Sequence, residues 1–132
     1  MKRGKEESKF RNLVLIFLFV FIIILIFTLI DVFVHSLSKE YAVPDYYFRN
    51  KIIFGTIIGF FAYLLVRKKN VLIKSLFFSS VVSILLQTRY FLEGYPIKFV
   101  IEFLFFHFLM LSFTSSIFFK VFDKFLKGGR FF

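Results

Sequence analysis

The sequence predicts an all-α integral membrane protein: a bundle of four transmembrane helices arranged as two antiparallel helical hairpins. Three observations predict it. Residues 13–30 (LVLIFLFVFIIILIFTLI) run for eighteen positions without a charge, a glycine or a proline. About 20 apolar residues at ~1.5 Å rise each cross a hydrocarbon core of ~30 Å, so this run with its flanks is long enough to span. Three more apolar segments follow, separated by short polar connections. The composition, finally, is 59% hydrophobic and 23% aromatic, with 25 phenylalanines among 132 residues. A soluble domain of that size exposes too large a share of its surface to hide so much apolar area.

Residues 1–12 (MKRGKEESKFRN) are polar and basic. A basic start before an apolar run also describes a signal peptide. The run here exceeds the ~7–15 residues of a signal core, however, and no small-x-small cleavage pattern follows it. The first helix is therefore expected to be retained, over about residues 12–37. Residues 36–50 (SLSKEYAVPDYYFRN) form the longest polar connection. Pro44 stops a helix from continuing through it, and Asp45 is placed to cap the next one. Tyr41, Tyr46 and Tyr47 suit the headgroup layer, where a ring with a polar tip has both solvents in reach.

The second helix is expected over about 46–66. Its uncharged part, residues 52–66, spans only ~22 Å, so Arg49 and Lys51 are expected at the headgroup layer or snorkelling toward it. Arg67, Lys68, Lys69 and Asn70 make a tight basic turn before a third helix over about 71–92. Glu93-Gly94-Tyr95-Pro96 is a compact turn signal. The fourth helix is expected over about 97–122, and Gly128-Gly129 in the short C-terminal tail would end any helical continuation. The whole chain reads as a single transmembrane domain.

Charge placement sets the expected orientation and excludes one partner class. Thirteen of the Lys and Arg residues lie on the side of the termini: Lys2, Arg3, Lys5, Lys9, Arg11, Arg67, Lys68, Lys69, Lys74, Lys120, Lys124, Lys127 and Arg130. Five lie on the other: Lys39, Arg49, Lys51, Arg89 and Lys98. On short loops this asymmetry places both termini in the cytoplasm of a multi-pass protein of the cell membrane. The net charge of +10 thus reflects basic ends of apolar runs, and no nucleic-acid partner is expected. With no cysteine there is no disulfide framework, thiolate metal site or thiol chemistry.

Three groups of residues stand out. Gly55 and Gly59 form a GxxxG that Ala62 extends, a helix-packing face on which two backbones can approach closely. An intramolecular contact is the simpler use of such a face, a homodimer seam the sharper one. Ser75, Ser79, Ser83 and Gln87 recur every fourth residue along the third helix, and His107, Leu111 and Ser115 do so on the fourth. A hairpin turning near Gly94 sets Ser83 level with His107 and Ser75 level with Ser115. That gives a midplane polar contact of His107 with Ser83, Ser79 and Gln87. Asp31 and His35 stand at i, i+4 near the outer end of the first helix. Arg89 and Glu102 lie at nearly equal depth in the second hairpin. Ionisable groups at membrane depth are costly and pair, so these four are expected as an outer-leaflet polar cluster.

No catalytic motif is present: no HExxH, no glycine-rich phosphate loop, no GxSxG elbow. The two histidines stand 72 positions apart, so no paired-histidine metal site is legible from spacing, and neither a metal nor another cofactor is expected. The favoured expectation is a non-enzymatic structural or accessory membrane subunit whose partners are the lipid bilayer and a second copy or another membrane protein. The alternative is an oligomeric transporter or channel for a small solute, ion or proton. Placement of polar groups separates the two: a pathway needs them at several depths facing one cavity, a scaffold leaves them at its ends.

Overall fold

The computed structural model describes residues 2–127 as four helices: α1 (Lys2–Ser36), α2 (Asp45–Val66), α3 (Val71–Leu92) and α4 (Ile97–Lys127). A single 3-10 turn, Lys39–Tyr41, lies between the first two. Every helix contains a stretch long and apolar enough to cross a membrane: Lys9–Ser36, Asp45–Val66, Val71–Leu92 and Ile97–Lys124. Two helices outrun their expected bounds. α1 starts at Lys2 rather than near residue 12, because the polar flank is rich in Lys, Glu and Arg and holds no proline. α4 continues to Lys127 rather than stopping near 122; Gly128-Gly129 lies outside the described residues.

The ends are set by local chemistry. Pro44, extended at φ −64° and ψ 157°, takes the N-cap of α2, so Asp45 is the first helical residue and not the cap. Its carboxylate then lies in the first turn, where the helix dipole favours negative charge. Asn70 caps α3, its side-chain oxygen accepting from the Ile73 N–H at 2.9 Å. Gly94 closes the turn after α3 at φ 98°, a conformation that costs glycine nothing and other residues a strain.

Each helix packs on its neighbours in sequence, and α1 also meets α4, closing the bundle into an up-down-up-down ring. Ile16, Val20, Ile23, Ile24 and Phe27 from α1 fill its centre together with Tyr63, Phe78, Val82, Leu86, Leu111 and Phe119. The small face of α2 is used within the chain. A Cβ on Gly55 would stand 3.1 Å from Ile24 of α1, and one on Gly59 would stand 2.8 Å from Phe78 of α3 and 2.9 Å from Val20 of α1. Ala62 is buried on the same side. Outward-facing positions such as Leu65, Leu92, Phe105 and Phe113 are apolar and exposed, as a lipid-facing surface requires.

Candidate functional site

The site begins with a lysine that points inward. Lys51 stands in the second turn of α2, ~9 Å from its first residue at ~1.5 Å per residue, and its side chain is fully buried. It does not snorkel. The residues buried along α2 include Tyr47, Lys51, Gly55, Gly59 and Ala62, so the lysine lies on the small, close-packed face and is carried into the bundle with it. Its ammonium donates to Asp31 Oδ2 on α1. It also lies 2.9 Å from His107 Nε2 on α4 and 3.3 Å from the Tyr47 hydroxyl. Buried charges persist when paired and hydrogen-bonded, and this ammonium has all three of its donors directed at acceptors.

Asp31 is the hub. Its Oδ1 lies 3.2 Å from His107 Nε2 and its Oδ2 lies 3.3 Å from His35 Nε2, one helical turn on. His35 Nδ1 meets the Tyr41 carbonyl at 2.6 Å. A carbonyl only accepts, so Nδ1 carries a proton and donates, and the 3-10 turn thereby holds the ring. Phe103 of α4 stacks on that ring, centroids 4.2 Å apart and planes within 4° of parallel. Around the ammonium stand the rings of Tyr47, Phe27 and Tyr90, with centroids 4.3, 5.5 and 5.6 Å away, which add cation–π attraction. Asp31, His35, Lys51 and His107 are each at most 3% exposed.

A second buried lysine sits at the other end of the bundle. Lys74, one turn into α3, pairs with Asp123 of α4 and lies near the rings of Tyr63 and Phe119, 5.4 and 5.9 Å from their centroids. Unlike Asp31, Asp123 is partly open, at 32% exposure. Between the two pairs the α3–α4 seam holds buried Ser75, Ser79, Ser83 and Ser115.

The sequence-predicted groupings are redistributed. Of the four residues expected in one outer cluster, Asp31 and His35 come together, whereas Arg89 and Glu102 do not join them. Arg89 reaches along its own helix to Glu93 at 2.9 Å and lays its guanidinium 3.7 Å from the Phe54 ring centre. A partner one turn away at the exposed end of α3 needs no desolvation, so the local pair prevails. Glu102 is half-buried and forms no ion pair among the described residues. His107 meets Lys51 and Asp31 in place of Ser83, Ser79 or Gln87, because a lysine stem from α2 spans what a serine hydroxyl cannot. Ser79 lies opposite Ser115, their oxygens 3.4 Å apart, a one-turn shift from the expected pairing of Ser75 with Ser115. Gln87 donates to the Val100 carbonyl at 2.8 Å. Tyr47, expected in the headgroup layer, is buried and stacks on Tyr90 with centroids 4.4 Å apart.

Lys51 is the residue that sequence reasoning placed in the wrong solvent. The signal was present: it precedes Gly55 by four positions, and that spacing puts it on the helix face marked for close packing. Asp31, His35 and His107 offer one ligand atom each, all within 4.8 Å of one another. No protein family, curated protein or solved structure matches this chain, so the geometry alone carries the functional reading.

Proposed function

We propose that this small multi-pass membrane protein is a non-enzymatic structural or accessory subunit of the cell membrane, acting through helix contacts with a second copy or another membrane protein. The observation that carries this reading is the closure of its polar core. Each member of the Asp31–His35–Lys51–His107 group is buried and has its partners inside the chain. A conduction route needs polar groups that water or solute can reach, and here Leu111 interrupts the stripe between His107 and Ser115 at 0% exposure. Phe78 and Val82 of α3, which directly precede Ser79 and Ser83, are buried and apolar as well.

The expected result is a mass above the 15.8 kDa of one chain after purification in mild detergent, from a second copy or a co-purifying membrane protein. A lone monomer overturns the proposal. One observation favours transport instead: Ser75, Ser79, Ser83 and His107 lie buried at successive depths. Proteoliposomes decide that point. Proton or cation flux above that of empty vesicles, lost in Asp31→Asn, would establish the transport reading.

The charge asymmetry supports cytoplasmic termini. Burial removes Lys51 from one side and Lys74 from the other, leaving twelve against four. A reporter-fusion scan is expected to place residues 37–44 outside; cytoplasmic signal from that connection would reverse the orientation.

A further inference from the structure

The group around Asp31 holds more lone pairs than one ammonium can satisfy. His35 donates through Nδ1 to the Tyr41 carbonyl, so in the neutral ring its Nε2 is an acceptor. That acceptor faces Asp31 Oδ2, another acceptor, at 3.3 Å, and has no hydrogen-bond donor of its own. His107 Nε2 faces both the Lys51 ammonium and Asp31 Oδ1, while its Nδ1 is buried without a hydrogen-bond partner. Two imidazole nitrogens and a carboxylate lie within 4.8 Å of one another, and the Lys51 ammonium contacts the carboxylate and one of the imidazoles. The Lys51 ammonium serves Asp31 and His107 but leaves His35 Nε2 without a donor, and such a group of acceptors can hold a cation.

We propose that Asp31, His35 and His107 form a binding site for a divalent transition-metal ion, with Lys51 as a tethered cation that competes for it. The spacing fits. Tetrahedral zinc with bonds of ~2.0–2.1 Å to nitrogen and oxygen sets its ligand atoms ~3.3 Å apart. His35 Nε2 lies 3.3 Å from Asp31 Oδ2 and His107 Nε2 lies 3.2 Å from Asp31 Oδ1, and one ligand atom from each residue can be chosen with all three within 4.8 Å of one another, so the three must draw in slightly around an ion. The outer support is of the kind metal-binding histidines use: a backbone carbonyl on the far ring nitrogen orients His35 and directs its Nε2 lone pair inward. Two imidazoles and one carboxylate suit zinc, iron or nickel better than the all-oxygen shells of magnesium or calcium. The site adjoins the 3-10 turn Lys39–Tyr41 through the Tyr41 carbonyl on His35.

This inference is independent of the accessory-subunit proposal, and zinc titration of tag-free protein in detergent tests it. Wild type is expected to bind one zinc per chain saturably, measured by calorimetry and by metal content after desalting. Lys51→Met, which removes the competing cation and keeps the stem, is expected to bind at least tenfold more tightly. His107→Gln is expected to abolish binding, with His35→Gln as the second ligand variant and helical circular dichroism as the check on folding. Should Lys51→Met fail to fold, the comparison of wild type with the histidine variants decides alone. Absence of saturable one-to-one binding to wild type, or binding unchanged in the histidine variants, overturns the proposal.

Discussion

Lys51→Met is expected to destabilise the bundle by about 3 kcal/mol, and the double variant Asp31→Asn/Lys51→Met to recover most of that loss. Removing one partner of a buried ion pair leaves the other charge uncompensated, which costs ~3–5 kcal/mol in soluble proteins, whereas replacing both is close to neutral. Lipid changes the reference state, since a chain unfolded within a membrane also finds partners. Ordinary interhelical hydrogen bonds there average only ~0.6 kcal/mol for that reason. A bare carboxylate or ammonium is a harder problem than a hydroxyl, so the single variants are expected well above that figure. Asp31→Asn alone is expected to be as damaging, because it leaves the ammonium with no counter-charge within the core. Reversible unfolding in mixed micelles, followed by circular dichroism, measures all three variants. Additive losses, with the double variant the least stable, would show that Asp31 and Lys51 do not act as a pair.

Gly59→Ala is the second large effect. The added methyl would stand 2.8 Å from the Phe78 ring and 2.9 Å from the Val20 side chain, contacts too short to keep, so these side chains or α2 itself must shift. Overpacking of this kind costs ~1–3 kcal/mol, against a helix-propensity gain of up to ~1 kcal/mol for losing a glycine, and a net loss of 1–2 kcal/mol is expected. Gly55→Ala meets only Ile24, at 3.1 Å, and is expected within ~0.5 kcal/mol of wild type because the two terms nearly cancel. The same unfolding assay ranks them. If Gly59→Ala leaves unfolding unchanged and instead dissociates an oligomer, the glycine face belongs between chains and not within one.

These two variants also mark where sequence reasoning succeeds and stops. The GxxxG of α2 is legible because small residues at spacing four have one use in lipid, close approach of backbones. Which backbones approach is not legible, since the spacing is the same for Ile24 and Phe78 as for a second copy. The serine stripe of α3 is legible for the same periodic reason. Its register against α4 is not: Ser79 meets Ser115 where turn geometry alone suggested Ser75, and one helical turn of slip leaves the apolar pattern intact.

The cluster at Asp31 was half visible. Asp31 and His35 share a helix face at i, i+4, and ionisable groups in lipid require partners, so a polar group at that depth follows from the residues alone. Its completion needed three helices. His107 is 72 positions from His35, and nothing local to either announces the other. Arg89 was the plausible cation for Asp31 by depth, yet it sits at a helix end where Glu93 is one turn away and water is near. Lys51 sits on a face that packing turns inward.

What the sequence determined by itself is the solvent and the count of crossings. The run at residues 13–30 and the three apolar segments after it admit no aqueous fold, because their surface cannot be hidden in water, and backbone groups in lipid must bond within helices. The breaks between helices follow from Pro44, the basic turn at 67–70 and the Gly94–Pro96 turn, all local. The tertiary structure alone decided which charge neutralises which. Depth and helix face restrict the partners of Asp31 to several candidates of similar reach. Only the packing of α1, α2 and α4 around shared side chains selects Lys51 and the two histidines, because burial removes water as the competing partner and leaves the nearest ammonium and imidazoles to meet the carboxylate.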